Sequence, residues 1–497
     1  MSNKVIIRRL HTGVPGLDTI LGGGLPEFSF NILAGSPGSG KTTLANQIMF
    51  ALATREKPAL FFTVFGEPPL KMLRYQQQFK YFDLDKIDDS IRFVDLSDDI
   101  ATGSFDRLLE RITQEIRIST PALVFVDSFR SVMYEMHKGP AGDIIAQQFL
   151  SRLGIFLSGW QATTFLIGEY TPKNDPHPVF TIADGLLSLK QSIYRNSMVR
   201  KIQILKMRGQ ATRPGMHTFS ITHEGIEVFP VSLVHDDTGE ATKAAGVVQG
   251  NSRLAMGVPR LDDMLGGGLP SGYSLLVAGP SGSGKTILAT AFLAEGVRLG
   301  EPGVIVAFEQ TPSQSWIRTI DNLVRAGKIG LINTRSLDLS IDQVVHRLTQ
   351  LIREMKATRV VIDSLSGFEL AVAPSFREDF RESLFRMFAV LAGLGVTVLM
   401  TSELEDRYID LRFSPYGSAF LTDAIIVQRY IEVQSSLQRV MSVVKVRASS
   451  HSTEIRRYEI NDHGIVIGDP VLDYEAILGG QPTRTKTKDP VDRGKRG

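Results

Sequence analysis

A set of glycines and serines followed by a lysine and a threonine occurs twice in the chain. The first copy comprises Gly35, Ser36, Pro37, Gly38, Ser39, Gly40, Lys41, Thr42 and Thr43. The second comprises Gly279, Pro280, Ser281, Gly282, Ser283, Gly284, Lys285, Thr286 and Ile287. In this pattern the glycines let backbone N–H groups turn around a phosphate, the lysine reaches the β- and γ-phosphates, and the first threonine is a ligand of Mg²⁺. Each segment therefore predicts a nucleotide-binding phosphate loop at the start of a helix, whose dipole adds positive charge.

The two loops belong to a longer internal duplication. A glycine-rich phrase at residues 12–26 recurs at residues 256–270, and it is displaced by the same 244 residues as the loops. We expect one domain over residues 1–235, a polar linker over 236–252 and a second domain over 253–470. Residues 471–497 are rich in Lys and Arg and poor in apolar side chains towards their end, which predicts a disordered basic tail.

Short apolar runs alternate with helical patterns in both halves, which predicts an α/β fold with mostly parallel sheets flanked by helices. One aliphatic run in each half ends in a carboxylate, Asp127 in the first and Asp363 in the second. A carboxylate at the carboxyl end of such a strand faces the phosphate loop. We expect Asp127 and Asp363 to hold Mg²⁺ through its water, together with Thr42 and Thr286.

Hydrolysis also requires a base that orients the attacking water near the γ-phosphate. The strand after the phosphate-loop helix is followed by Glu309 and Gln310 in the second half, and by Gly66 and Glu67 at the aligned positions of the first half. The two halves therefore differ at the position expected to carry the base. Glu309 in the second half and Glu67 in the first are therefore the glutamates to consider as bases.

A late strand in each half carries two cations two residues apart. These are Lys206 and Arg208 in the first half and Lys445 and Arg447 in the second. Strand periodicity places both members of a pair on one face of the sheet. Solvated edge charges are the simplest interpretation of one pair, but its repetition beside phosphate chemistry favours a functional role.

Composition narrows the classes of function. The chain has 497 residues, 43% of them hydrophobic and 22% charged, and a net charge of only +2, so charge gives no reason to expect nucleic acid or a membrane. It has no cysteine and nine scattered histidines, which argues against disulfides and a zinc site. No signal-peptide core or membrane-spanning run is recognisable, so we expect a cytoplasmic protein.

Taken together, these motifs resemble the KaiC family of RecA-like P-loop ATPases over nearly the whole chain. The resemblance implies two tandem RecA-like domains, a homo-oligomer built as a double-ring hexamer, and ATP with Mg²⁺ bound between neighbouring subunits. It also implies that the Lys-x-Arg cations reach the γ-phosphate of the adjacent subunit. Because the family has two tandem glutamates after the strand, of which the first is the usual base, the resemblance implies that Glu309 is the base and that the second domain hydrolyses ATP faster. We expect the first domain to bind ATP tightly and hydrolyse it slowly, and the alternative is that Glu67 acts as a substitute base.

The family's clock protein also phosphorylates itself on adjacent Ser and Thr residues, and here the aligned positions hold Ala419 and Phe420. A phosphorylation cycle of that design is not expected, although Ser418 and Thr422 leave a serine/threonine autokinase as an alternative. A RecA-like DNA-binding ATPase is a second alternative. The leading hypothesis is an ATPase whose nucleotide state controls binding to a regulatory protein partner.

Overall fold

The structure is a computed structural model in which two compact units are distinguished by their internal contacts, Met1–Val231 (unit 1) and Ser232–Gly497 (unit 2). It describes residues 7–63, 69–101, 104–128, 152–156, 159–169, 179–194, 197–231, 252–308, 314–333, 340–372, 380–404, 422–472, 474–475 and 483–484. The predicted domain limits at residues 235, 252 and 470 remain predictions.

Unit 1 contains eleven described strands, of which the buried runs recognised in the sequence form the centre. They are β1 Arg9–Leu10, β2 Leu25–Pro26, β3 Phe30–Gly35, β4 Ala59–Thr63, β5 Ile91–Asp95, β6 Leu123–Asp127, β7 Thr163–Gly168, β8 Gly185–Tyr194, β9 Ser197–Met207, β10 His217–Thr222 and β11 Gly225–Phe229. Its helices are α1 Leu17–Leu21, α2 Lys41–Leu52, α3 Pro69–Gln76, α4 Ser97–Ala101, α5 Phe105–Ser119 and α6 Val179–Ile182, with a 3-10 turn at Leu84–Lys86.

Unit 2 repeats the order of the sheet strands and the helix that follows the phosphate loop. Its strands are β12 Arg253–Leu254, β13 Leu269–Pro270, β14 Ser274–Gly279, β15 Gly303–Ala307, β16 Ile329–Asn333, β17 Arg359–Asp363, β18 Thr397–Glu403, β19 Ala424–Val433, β20 Ser436–Val446, β21 Arg456–Asn461, β22 Gly464–Pro470, β23 Tyr474–Glu475 and β24 Thr483–Arg484. Its helices are α7 Pro259–Met264, α8 Lys285–Arg298, α9 Gln314–Arg325, α10 Ile341–Met355, α11 Leu365–Ala371 and α12 Phe380–Gly393.

Each unit is built on a nine-stranded sheet with the same strand order. In unit 1 the order is β5-β4-β6-β7-β3-β8-β9-β10-β11, and in unit 2 it is β16-β15-β17-β18-β14-β19-β20-β21-β22. The first six strands of each sheet are parallel neighbours, and the last three extend it as antiparallel strands. This confirms the predicted α/β class with mostly parallel sheets and agrees with tandem RecA-like domains.

The central strands are apolar throughout because both of their faces are covered by helices. In β3, Ile32 packs in the layer that contains Leu108 and Ile112 of α5. Its neighbour Leu33 points to the other face, in the layer that contains Leu44 and other residues of α2. Burial on both faces holds β3 at the middle of the sheet, so the loop that follows Gly35 has a fixed starting point.

Directly after residue 470 the chain stays in contact with the sheet of unit 2. Val471 is buried with Ile431, Val433 and Val440, and β23 pairs with β24 in antiparallel register. The predicted disorder of the basic stretch towards residue 497 stays a prediction. Among the described residues, no helix is long and apolar enough to cross a membrane.

Candidate nucleotide-binding sites

Both phosphate loops lie at the carboxyl edge of their sheets, between the central strand and the following helix. The loop of unit 1 joins β3 to α2, and that of unit 2 joins β14 to α8. Gly40 and Gly284 precede the helices with φ of 98° and 96°, in a region that disfavours residues with a Cβ. A Cβ there would also lie within 3 Å of Ile221 or Ile460, respectively. The two glycines thus allow a tight, inward-facing turn of backbone N–H groups.

The loop lysines lie over their own loops. The Lys41 ammonium donates to the Ser36 carbonyl at 2.9 Å, and the Lys285 ammonium donates to the Gly279 and Pro280 carbonyls at 2.9 and 2.8 Å. Burial lowers the pKa of Lys41, while the carboxylates of Glu169 and Asp127 act in the opposite direction. Each loop therefore presents a cation at the place where the β- and γ-phosphates are expected.

The predicted metal-binding pair of unit 1 is in contact. Thr42 Oγ1 donates to Asp127 Oδ2 at 2.6 Å. Asp127 is close enough because its strand β6 pairs with β7, and β7 pairs with the strand that leads into the phosphate loop. Two hard oxygen donors at the edge of a phosphate loop fit Mg²⁺, which usually takes one or two protein oxygens with phosphate and water. In both units the peptide bond after this aspartate is cis.

Asp363 of unit 2 has a different partner. Its Oδ1 accepts a hydrogen bond from Thr401 of the adjacent strand β18. The pairing of β7 and β18 with their central strands shows that Ile167 is the residue of unit 1 that corresponds to Thr401. The sequence motifs did not single out Thr401, because its hydroxyl becomes relevant only through the strand pairing.

Two further groups near the loops were not recognised from the sequence. Glu169 follows β7 and is close enough to Lys41 to influence its charge state. In unit 2 the guanidinium of Arg439 lies 5.5 Å from the ring centroid of Tyr430, whose hydroxyl donates to Ser281 of the phosphate loop at 3.4 Å. Cross-strand pairing, which no local pattern reveals, brings Arg439 beside Tyr430.

The Lys-x-Arg cations lie at the opposite edge of the sheet from their own phosphate loop. Lys206 Nζ donates to Phe180 and Thr181 carbonyls at 3.1 Å, and Arg208 binds Asp184 at 3.1 Å, just before β8 begins. The strand β8 reaches the loop only at Leu189, which pairs with Gly35, about 13 Å further along. These cations are therefore not part of the loop's own site in unit 1.

Unit 2 has the same arrangement. Lys445 Nζ donates to the Thr422 carbonyl at 2.6 Å, and Arg447 pairs with Asp423 at 3.2 Å. Partial burial and the neighbouring Arg447 lower the pKa of Lys445, while Asp423 raises it. Thr422 itself is fully buried at this edge. Both cation pairs face away from the phosphates that their own unit would bind.

Several predicted residues lie outside the part of the chain that the structure describes. These are the candidate bases Glu67 and Glu309, their aligned partners Gly66 and Gln310, and the segment with Ser418, Ala419 and Phe420. Their roles remain predictions from the sequence.

A parallel sheet with a glycine-rich phosphate loop after its central strand and a carboxylate at the end of a nearby strand defines a P-loop nucleotide-binding enzyme of the RecA-like class. The ATPase model of the KaiC family matches residues 10–232 and again residues 254–471. The chain belongs to the KaiC family of ATPases, which confirms the resemblance drawn from its motifs.

Three relatives illustrate the match. The circadian clock oscillator protein KaiC of Picosynechococcus sp. is 29% identical over 96% of this chain and 93% of its own length. The protein of the same name from Rippkaea orientalis is 29% identical over 96% and 92%, respectively. The circadian clock oscillator protein KaiC 1 of Synechocystis sp. is 28% identical over 96% and 92%.

Proposed function

We propose that both units bind ATP with Mg²⁺ and that unit 2 is the faster ATPase. The contact between Thr42 and Asp127 carries the proposal of Mg²⁺ and ATP binding, because it joins a phosphate-loop hydroxyl to the strand-end carboxylate within hydrogen-bond distance. The faster turnover of unit 2 is inferred from the sequence, where Glu309 is aligned with Gly66. Bound Mg²⁺ would neutralise charge on the phosphates during phosphoryl transfer. Thr42 with Asp127, and Thr286 with Asp363, would hold it, while Lys41 and Lys285 would bind the phosphate oxygens.

We further propose that the Lys-x-Arg cations act on a neighbouring subunit. Their position at the edge opposite to their own loop supports this role, because in one chain they lie too far from that unit's phosphates to stabilise the transition state. Lys445 and Arg447 of one subunit would then offset charge at the unit 2 site of the next, and Lys206 and Arg208 would do so at the unit 1 site. A hexamer, as the family resemblance implies, would supply one such neighbour to every site. The nucleotide state of this cytoplasmic assembly would control the binding of a regulatory protein partner.

Replacement of the candidate bases tests the division between the units. Glu309→Gln should lower ATP turnover about a hundredfold or more, because the attacking water loses its base, whereas Glu67→Gln should leave most turnover intact. Turnover of both variants should be measured beside the phosphate-loop variants Lys41→Ala and Lys285→Ala. Nucleotide binding retained by Glu309→Gln is the control for folding. Unchanged turnover in Glu309→Gln with loss in Glu67→Gln would reverse the assignment.

No observation in the described part of the structure specifically favours either alternative, the autokinase or the DNA-binding ATPase. Thr422, one candidate acceptor for an autokinase, is fully buried, so its hydroxyl is not accessible to a nucleotide in this structure. Stable labelling of the chain by γ-labelled ATP would restore the kinase hypothesis. Salt-dependent DNA binding that survives removal of the basic tail would restore the DNA-binding one.

A further inference from the structure

The phosphate loop of unit 2 is tied to the sheet beneath it by two buried side chains. Ser283 Oγ donates to Gln428 Oε1 of β19 at 3.0 Å, and the hydroxyl of Tyr458 in β21 donates to the Ser283 carbonyl at 2.6 Å. Ser283 and Gln428 are fully buried, and Tyr458 is 3% exposed. Burial also raises the pKa of Tyr458, so its hydroxyl stays protonated and able to donate.

Unit 1 has the same loop without these ties. Leu189 occupies the position of Gln428, since the first glycine of each loop, Gly35 or Gly279, lies against the backbone of that residue. Ser39 Oγ is buried and has no hydrogen-bond partner among the residues that the structure describes. The units therefore differ in how the loop is held, although Gly38 and Gly282 have nearly equal φ of 73° and 75°.

Phe219 stands in unit 1 where Tyr458 stands in unit 2. Ile221 of β10 and Ile460 of β21 both approach the last glycine of their loops, so the residues two positions earlier, Phe219 and Tyr458, also correspond. The ring is retained and only the hydroxyl differs. The hydroxyl oxygen of Tyr458 is therefore the one atom that lets this ring donate a hydrogen bond to the Ser283 carbonyl.

We propose that Gln428 and Tyr458 are positioning residues that hold the unit 2 loop in its phosphate-accepting shape before a nucleotide arrives. The inference rests on the proposed ATP binding by this loop. A loop whose backbone is already fixed loses less conformational freedom when it binds, so a larger part of the contact energy appears as affinity. In unit 1 the nucleotide itself would have to order the loop.

Hydrogen exchange of the full-length, nucleotide-free protein tests the proposal without any ligand. Tyr458→Phe and Gln428→Leu, which install the unit 1 residues, should each speed amide exchange in residues 279–286 and leave residues 35–42 unchanged. Tyr273→Phe is the matched control, because it removes a hydroxyl that donates to the Arg447 carbonyl at the far edge of the same sheet. Loop exchange that is unchanged in the Tyr458 variant, or equally faster in the Tyr273 variant, would overturn the proposal.

Binding of a fluorescent ATP analogue with Mg²⁺ gives the second readout, in a Lys41→Ala background that leaves unit 2 as the binding site. The Tyr458→Phe, Gln428→Leu double variant should bind about tenfold more weakly, as expected for the loss of two buried hydrogen bonds. KM should rise with little change in kcat, because the ties act on the loop and not on the attacking water. In a Lys285→Ala background, Phe219→Tyr should tighten binding to unit 1.

The two hypotheses fail in different ways. If neither single-site background binds the analogue, the proposed ATP binding is wrong, and the exchange experiment still decides whether the ties order the loop. If both backgrounds bind it and the double variant binds as tightly as its parent, the positioning role is wrong and the proposed function stands.

Discussion

At the scale of single residues, the two units provide different hydrogen-bond donors to the carboxylates of two corresponding aspartates. Asp18 Oδ1 accepts hydrogen bonds from both the backbone N–H and the hydroxyl of Thr12, at 3.0 and 2.8 Å. Asp262, its counterpart in unit 2, accepts from the N–H of Met256 at 2.7 Å, and methionine has no hydroxyl to offer. Burial raises the pKa of Asp262 to about 6, with the carboxylate of Glu295 adding to the effect.

This raised pKa predicts a pH-dependent cost to stability. The folded protein binds the proton of Asp262 more tightly than the unfolded chain, so stability falls as the pH rises from about 4 to about 6 and stays lower above it. Asp262→Asn removes the titration. The free energy of unfolding of this variant, minus that of the wild type, should therefore increase by about 1–2 kcal/mol from pH 4 to pH 7. Urea unfolding followed through Trp316, in a Trp160→Phe background, would measure it.

Met256→Thr provides the control for the cause of this effect. A hydroxyl at this position should donate to Asp262 as Thr12 does to Asp18, and should therefore favour the charged form of the carboxyl. In the Met256→Thr background, the relative stabilisation by Asp262→Asn should therefore increase less from pH 4 to pH 7. A gain of the same size with and without the hydroxyl would assign the pH dependence to another group.

At the scale of elements, the sequence predicted the parallel strands, the phosphate loops and the strand-end aspartates, because each depends on local spacing. It did not predict which residues meet across the sheet. Thr401 bonds Asp363 and Tyr458 bonds Ser283 only because of strand register, and that register is set by burial over the whole sheet. Long-range pairing of this kind leaves no signal within a short window of sequence.

Arg359, at the start of β17, illustrates such a contact and gives a stability prediction. Its guanidinium is fully buried, pairs with Glu301 at 2.6 Å and donates to the carbonyls of Ala255 and Phe292 at 2.7 and 2.8 Å. The matching residue of unit 1 is Leu123. Arg359→Leu should nevertheless destabilise unit 2 by about 3 kcal/mol, because the buried carbonyl of Phe292, the partly buried carbonyl of Ala255 and a carboxylate lose their donor.

Urea unfolding of Arg359→Leu would check this prediction, with Glu301→Gln as the milder companion. Glutamine keeps an oxygen that can accept from the guanidinium, and Glu301 is partly exposed, so its replacement should cost less. Equal midpoints for Arg359→Leu and the wild type would show that apolar packing alone suffices at this position.

At the scale of the whole molecule, the opposite placement of loops and cations predicts complementation between inactive chains. Lys285→Ala disables the unit 2 loop and Arg447→Ala disables its cation pair, so each variant alone should lose most unit 2 turnover. Coexpressed chains should recover about a quarter of the wild-type turnover, because a random mixture pairs some intact loops with intact cations. Coexpression of Lys285→Ala with Lys445→Ala should complement equally. A mixture no more active than its components would show that the cations act within their own chain.

The two edges of each sheet also constrain how copies of the chain can meet. Under the proposed role of the cations, an edge that carries loops would face an edge that carries cations, so this contact would be head to tail and not the self-complementary contact of a two-fold dimer. Such contacts either close into a ring or continue as a filament, and the angle between successive copies decides which. For the proposed hexamer, the chain would therefore have to specify a closing angle as well as an interface, and a substitution that tilts the contact without weakening it would produce fibres.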